Sequence, residues 1–472
     1  MFSSATPAMK RPLLIHGLLW ALCGLGIAGI LHLGRNLPPI PASPGPTVAG
    51  GMAHTGLTYP DNLARSLGRL LLQFVVIVAA TRTVGWFFRK SGLPTVVGEI
   101  TAGILLGPSL LGWLWPSGFN FIFAAQSVDI LRLFSQVGVT VFMFVVGMEL
   151  EVEHVRANAR AAISNSQFAT LVPYLGGMIA AVFLYSHYAG PGTSFPAFAF
   201  FLGIAMSITA FPVLVRILEE RGMAKTPLGS AAIACAAAGD AGAWIILALV
   251  VAFTRGRGVG ATLFKLGLLS VFVTSMLVFV RRWLPRWLGL DLVKRGTITR
   301  GTVAAVLLLM TASALATEAL GIHALFGAFL AGTIMPRQGV VRDFLVGRTE
   351  KFIGLLLPLF FAFSGLRTHI GLLGNPSRWL LCLVIVVIAT VGKLGGTMLG
   401  ARLNGMGWRD AFAFGSLMNT RGLMELIALN IGYDLGVLSP SIFAMLVLMA
   451  LVTTFLTGPL LSLGNHLPRA AV

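Results

Sequence analysis

The chain has 472 residues, of which 56% are hydrophobic and only 11% charged, less than half the roughly 25% typical of soluble domains. That composition excludes a water-soluble globule, and apolar runs of about 20 residues recurring from end to end mark an all-α membrane protein. The net charge of +18 gathers in short loops between the runs, which is the positive-inside bias of membrane topology and not the basic face of a nucleic-acid-binding fold.

The first apolar segment, residues 12–33, follows Lys10 and Arg11. It reads as a cleaved signal peptide or as an extra span. Its length, and Arg35 where a cleavage site wants a small residue, favour a retained span. The Pro/Gly-rich stretch from Leu37 to Pro60 reads as an exposed linker. Residues 1–69 are therefore expected to form an N-terminal extra segment with its linker, 70–465 a transmembrane domain, and 466–472 a short cytoplasmic tail.

Within 70–465 the hydropathy pattern predicts thirteen spans, near 70–88, 96–115, 133–150, 165–188, 194–218, 229–253, 262–284, 301–320, 321–336, 352–370, 378–402, 408–432 and 441–463. Basic clusters fall on alternate loops: Arg89 and Lys90; Arg281, Arg282 and Arg286; Lys294, Arg295 and Arg300; Arg337, Arg342, Arg348 and Lys351. Those loops are assigned to the cytoplasm, with both termini inside. Cys23, Cys235 and Cys382 all lie in apolar spans without metal-ligand or disulfide spacing, as small buried hydrophobes do.

Two spans carry interruptions. The fifth contains Ser207-Ile208-Thr209-Ala210-Phe211-Pro212, and Pro212 lacks the amide a continuous helix needs. The twelfth contains Asn419-Thr420-Arg421-Gly422 in mid-span. Pro212 alone reads equally as an ordinary kink. The second interruption, in a span running the opposite way, points instead to an inverted-repeat transporter whose unwound backbone lines a cavity.

Asp240 is the only charged residue between Thr226 and Thr254, and Lys393 the only one between Trp379 and Ala401. Ionisable groups isolated in mid-span are costly and mark ion or proton pathways. Asp240 lies among Ala236, Ala237, Ala238, Gly239, Ala241, Gly242 and Ala243, small residues that leave room for water and an ion. Its plainer reading is a structural hydrogen bond to a neighbouring helix. Lys393 reads as its counter-charge, as a second proton carrier, or as half of a purely structural ion pair. Thr209, Asn419 and Thr420, with Ser207 beside them, offer hard oxygens to a monovalent cation. Glu99, Arg421 and Glu425 read first as structural; Arg421 and Glu425 are one helical turn apart and can satisfy each other. Glu318 reads as interfacial and His323 as a packing residue.

Several segments resemble the second monovalent cation/proton antiporter family. Leu93 to Ile100, continuing through Gly103 to Pro108, is similar to its first signature, and Phe144 to Leu150 to its second. Ser207 to Gly222 and Gly321 to Gly332 are similar to later motifs. Leu417 to Ile427 and Ala444 to Thr454 resemble its plant-type cation/proton exchanger branch. The resemblance implies thirteen helices with two crossing discontinuous ones, and a six-helix core domain moving against a dimerisation domain in a homodimer. It also implies that Asp240 binds ion and proton and that Lys393 is the core lysine. The family usually places Asp, Asn or Gln directly before the key Asp, where this chain has Gly239, so one ligand or titrating group is missing. Many relatives carry a nucleotide-binding or hydrophilic regulatory tail after the last span, and none is expected here.

The expected activity is exchange of K+ or Na+ for protons by alternating access, in a bacterial inner membrane, with lipid as the surroundings and no cofactor beyond the transported ions. The other readings are a cation channel or non-transporting sensor on the same fold and, remotely, an intramembrane aspartyl protease. That enzyme needs two aspartates sharing a proton, and no second mid-span Asp is present.

Overall fold

The computed structural model describes residues 24–26, 28–29, 31–32, 66–90, 95–149, 159–255, 259–287, 300–320, 323–335 and 340–466. The extra span at 12–33 lies mostly outside that set. The linker from Leu37 to Pro60, the residues after 466, Cys23, Lys294, Arg295 and Arg337 lie wholly outside it.

In chain order the principal helices are α1 (Ser66–Lys90), α2 (Thr95–Leu106), α3 (Ala125–Glu149), α4 (Ala159–Tyr188), α5 (Phe195–Ser207), α6 (Phe211–Glu220), α7 (Pro227–Arg255) and α8 (Val259–Ser275). There follow α9 (Arg300–Ala319), α10 (Ala324–Thr333), α11 (Val340–Leu366), α12 (Pro376–Leu403), α13 (Trp408–Met418), α14 (Leu423–Asp434) and α15 (Pro440–His466). Among the described residues, 10 helices are long and apolar enough to cross a membrane, and α5 and α10 are shorter apolar helices. The chain is a multi-pass integral membrane protein.

Each expected span has its helix, the fifth being α5 with α6 and the twelfth α13 with α14. The limits differ most in the second, third, fourth and tenth spans; the third starts at Ala125 and the fourth at Ala159, ahead of the expected 133 and 165. The second span stops at Leu106 because Gly107 precedes Pro108, whose ring disfavours helix at the residue before it; two short helices, Leu111–Leu114 and Pro116–Ile122, follow. The tenth span starts at Val340, ahead of the apolar run, because hydropathy marks the apolar part of a helix and not its polar continuation. The seventh contains a π-helical turn at Met276–Val280, continued by a helix at Arg281–Trp287, in a run of apolar residues with no breaker to announce it.

Two compact units divide the chain, and α7 passes from one to the other between Ala243 and Trp244. The first unit holds α4, α5, α6, the first part of α7, and α12 to α15. It consists of two triplets, each with a broken middle helix, as an inverted repeat requires. In lipid there is little hydrophobic drive between helices, so close backbone packing does more of the holding. A Cβ on Gly177 of α4 would lie 2.6 Å from the Leu202 carbonyl and 2.8 Å from Gly203 Cα of α5. A Cβ on Gly396 of α12 would lie 2.7 Å from the Phe168 carbonyl of α4. The turn after α4 meets the turn after α14: Thr193 donates to the Gly436 carbonyl (3.0 Å), and the Gly190 amide to that of Val437 (3.0 Å).

The second unit holds α1 to α3, the rest of α7, and α8 to α11. Gly147 of α3 faces Gly332 of α10, where an added Cβ would come within 3.0 Å of Gly332 Cα. Gln73 donates to the Ile122 carbonyl (2.7 Å) and to Ser127 Oγ (2.8 Å), so a polar residue buried in α1 finds partners. Trp244 packs edge-on against Phe326 at 5.3 Å between ring centroids.

Candidate ion-binding site

All the site residues expected from the sequence, apart from Glu99, lie in the first unit. On α12 the buried positions Ile385, Val386, Ala389, Lys393, Gly396, Thr397 and Gly400 recur at three- and four-residue spacing, so Lys393 falls in the helix's inward stripe. On α7 the buried positions Ala232, Cys235, Ala236, Asp240, Ala243 and Leu247 do the same for Asp240. Both charges therefore lie among the buried positions of their helices.

The two breaks cross. After Ser207 the backbone turns extended at Ile208 (φ −66, ψ 139), and α6 begins at Phe211. Pro212 is the second residue of α6, where a missing N–H costs nothing because no carbonyl of that helix precedes it. After Met418 the chain passes through Asn419 to Gly422, and α14 begins at Leu423. Gly422 has φ 158 and ψ −124, and a Cβ there would lie 3.1 Å from Val213 Cγ2. The stretches are stitched by the Ala210 amide donating to the Thr420 carbonyl at 2.9 Å and by Thr209 Oγ1 donating to the Met418 carbonyl at 3.4 Å.

A helix that stops in mid-membrane leaves its last carbonyls unpaired and a partial negative charge at its end. Two cations cover the end of α5. Arg421 donates through Nη1 to the Ala205 carbonyl (2.8 Å) and through Nη2 to the Met206 carbonyl (2.6 Å). Lys393 Nζ donates to the Ser207 carbonyl, the last of α5. Hydrogen bonds to a charged donor contribute about 1.5–3 kcal/mol each, so the lysine and the arginine are part of what stabilises the break. α15 holds the second break: Thr454 Oγ1 accepts from the Arg421 amide (2.9 Å) and donates to the Arg421 carbonyl (2.8 Å), while Asn419 Nδ2 donates to the Thr453 carbonyl (3.3 Å).

Asp240 is 3% exposed, and neither carboxylate oxygen has a hydrogen-bond partner among the described residues. Lys393 and the amide of Phe211, at the start of α6, both act on it electrostatically, the amide short of hydrogen-bond geometry and the lysine short of a direct ion pair. A structural hydrogen bond for Asp240 is therefore not what the fold provides. Its neighbours leave space: a Cβ on Gly239 would meet only Ser166 Cβ, at 3.9 Å, and one on Gly242 nothing within 4 Å. Among the described residues no group of three His, Cys, Asp or Glu side chains gathers into a metal cage. The donors on offer are hard oxygens, namely the Asp240 carboxylate, the Thr209 hydroxyl and unwound carbonyls.

Arg421 and Glu425 pair as their spacing predicts, at 3.4 Å and with both side chains fully buried. Asn419 Oδ1 is buried without a partner. Thr420 Oγ1 turns back to the Leu417 carbonyl (2.7 Å) and Ser207 Oγ to that of Ile204 (3.0 Å), so these two hydroxyls finish their own helices. Glu99 belongs to the second unit, on α2, with its Cγ beside Gly85 of α1. Glu318 and His323 serve α10: a Glu318 oxygen accepts from the Ala324 amide (2.9 Å), and His323 is the N-cap. Sequence reading missed the carbonyls of Ala205 and Met206, which have no side-chain signature. It also gave no role to Thr453 and Thr454, a polar pair inside an apolar helix at the end of the Ala444–Thr454 segment.

Residues 76–463 match the family model for the sodium/hydrogen exchanger transmembrane domain. The chain belongs to that family. It is 41% identical to the Na+/H+ antiporter NhaS4 of Synechocystis over 83% of this chain and 96% of that one. It is 39% identical to cation/H+ antiporter 20 of Arabidopsis thaliana over 85% of this chain and 48% of the relative. With K+/H+ antiporter 1 of Saccharomyces cerevisiae it shares 31% over 88% of this chain and 48% of the relative. The chain thus spans nearly all of the cyanobacterial relative and about half of the plant and yeast ones. The fold matches the sodium proton antiporter MjNhaP1 from Methanocaldococcus jannaschii with a TM-score of 0.57, at 14% identity over 86% of this chain and 99% of that one.

Proposed function

We infer that this protein exchanges a monovalent cation, Na+ or K+, for protons across a bacterial plasma membrane by alternating access. Relatives named as Na+/H+ and as K+/H+ antiporters share its family. The observation that carries the reading is Asp240: a carboxylate 3% exposed, with both oxygens unpartnered, beside the crossing of two broken helices. A buried carboxylate without a hydrogen bond is costly unless it holds a proton or a cation. Asp240 takes either, and Thr209 with the neighbouring unwound backbone helps to coordinate the cation. Lys393, within electrostatic range of Asp240, competes with the cation for it. The exchanger works as a homodimer, which crosslinking in native membranes would reveal.

The test is Asp240→Asn in proteoliposomes loaded with a pH-sensitive dye. Wild type should move protons on addition of Na+ or K+. The variant should insert normally, an amide being cheaper in lipid than a carboxylate, and exchange at least about tenfold more slowly. Exchange at the wild-type rate would sink the assignment of Asp240.

A further inference from the structure

Among the described residues, four buried charges stand in the first unit: Asp240, Lys393, Arg421 and Glu425, none more than 3% exposed. Their formal charges sum to zero, two carboxylates against two cations. The exchange reading uses Asp240 and Lys393 and leaves the other pair without a role beyond stitching.

The geometry of that pair is uneven. Arg421 spends Nη1 and Nη2 on the carbonyls of Ala205 and Met206, at 2.8 and 2.6 Å. Glu425 stands 3.4 Å from Nη1, and neither of its oxygens accepts a hydrogen bond from any described residue. Arg421 is thus already oriented by the end of α5. What Glu425 adds is its charge. A guanidinium does not give up its proton in a protein, so without that carboxylate its positive charge would stand bare in a dry interior. Arg421 and Lys393 bond consecutive carbonyls at the end of α5, those of Ala205, Met206 and Ser207, so the Arg421–Glu425 pair stands next to the lysine that acts on Asp240. The two helices packed most closely on α14 are α5 and α15. α5 has no charged residue, and the only ionisable side chain of α15 is His466 at its far end.

We propose that Glu425 is the charge-balancing residue of the transport site: it neutralises Arg421 so that Lys393 is the only cation competing with the transported ion for Asp240. The proposal rests on the antiport reading above. Removing the charge of Glu425 leaves an arriving cation facing two positive groups against one carboxylate. In the effective dielectric of a protein, a unit charge on the order of 10 Å from a cation changes its binding by about tenfold, which sets the size of the effect to look for.

The experiment compares Glu425→Gln, which keeps the shape and loses the charge, with Glu425→Asp, which keeps the charge and loses a methylene. Each is reconstituted, and KM and kcat for Na+ and K+ are measured at alkaline pH, where protons compete least. Cation-induced thermal stabilisation of the detergent-solubilised protein gives a second readout, independent of turnover. Glu425→Gln should raise KM about tenfold and shift the stabilisation curve equally, with a smaller effect on kcat. Glu425→Asp should stay within about threefold of wild type. A wild-type KM for Glu425→Gln would overturn the proposal. So would a Glu425→Asp defect as large as that of Glu425→Gln, because Glu425 would then act through its shape. If Glu425→Gln cannot be recovered folded, the Glu425→Asp arm decides on the same threshold. Asp240→Asn runs alongside. Loss of cation binding there, with wild-type binding by Glu425→Gln, defeats this inference and leaves the antiport reading standing.

Discussion

At the scale of single residues, the site shows how a membrane interior makes backbone and side chain interchangeable. The end of α5 presents three carbonyls with no helical partner, and a guanidinium and an ammonium answer them. The second break is answered by a hydroxyl: Thr454 both accepts from and donates to the backbone of Arg421. Thr454→Val removes that hydroxyl at nearly constant volume and strands a buried amide and carbonyl, at a cost of about 1–3 kcal/mol. The expected result is a lower melting temperature in detergent. The control is Thr311→Val, whose hydroxyl only returns to its own helix at an exposed position (2.8 Å to the Leu307 carbonyl). If both variants melt with wild type, Thr454 is not holding the break. Side chains at this site were legible in the sequence where their chemistry was out of place. Asp240, Lys393 and the Arg421–Glu425 pair stood out because charges do not belong in apolar spans. Their partners Ala205, Met206 and Ser207 were not legible, because a carbonyl is the same in every residue and only the break decides which carbonyls go unpaired.

At the scale of elements, helix existence followed from hydropathy, and helix breaks from polar or proline residues in mid-span. Both signals act within a few residues, so one sequence carries them. Pairing between helices is a different matter, since in lipid it depends on which small residues face one another. Gly177 and Gly395 look alike in sequence. In the fold, a side chain on Gly177 would strike the Leu202 carbonyl at 2.6 Å, whereas one on Gly395 would meet nothing within 4 Å. Gly177→Leu should therefore force α4 from α5 and destabilise the protein by about 1–3 kcal/mol or more, the usual cost of overpacking. Gly395→Ala should leave stability unchanged. Thermal unfolding and monodispersity on size exclusion separate the two, and equal behaviour would mean that the α4–α5 contact does not hold the unit together. The π-helical turn in the seventh span was illegible for a related reason: an inserted residue changes the register without changing the composition.

For the whole molecule, the property to be explained is how many protons move for each cation. The answer turns on whether Lys393 must lose its proton when a cation displaces it from Asp240. An ammonium with nowhere else to go would have to, and two protons would then move per cation. Here it has somewhere to go: the Ser207 carbonyl, at the negative end of α5, already accepts from Nζ, and Lys393 makes no direct ion pair with Asp240. That partner lets the lysine stay charged while the cation occupies the carboxylate. Nor, in sequence, is there an acid directly before Asp240. The preceding residue is Gly239, and packing does not force this, since a side chain there would find its nearest atom at 3.9 Å. One carboxylate that exchanges one cation for one proton moves no net charge. The titration of Asp240 and Lys393 is a joint property of the pair, so the decisive measurement is on flux. In proteoliposomes with opposed cation and proton gradients, flux should reverse where the two gradients balance, and that point should stay fixed when a potassium-independent voltage is imposed. A reversal point that moves with voltage would show that Lys393 gives up its own proton in each cycle and that the Ser207 carbonyl does not keep it charged.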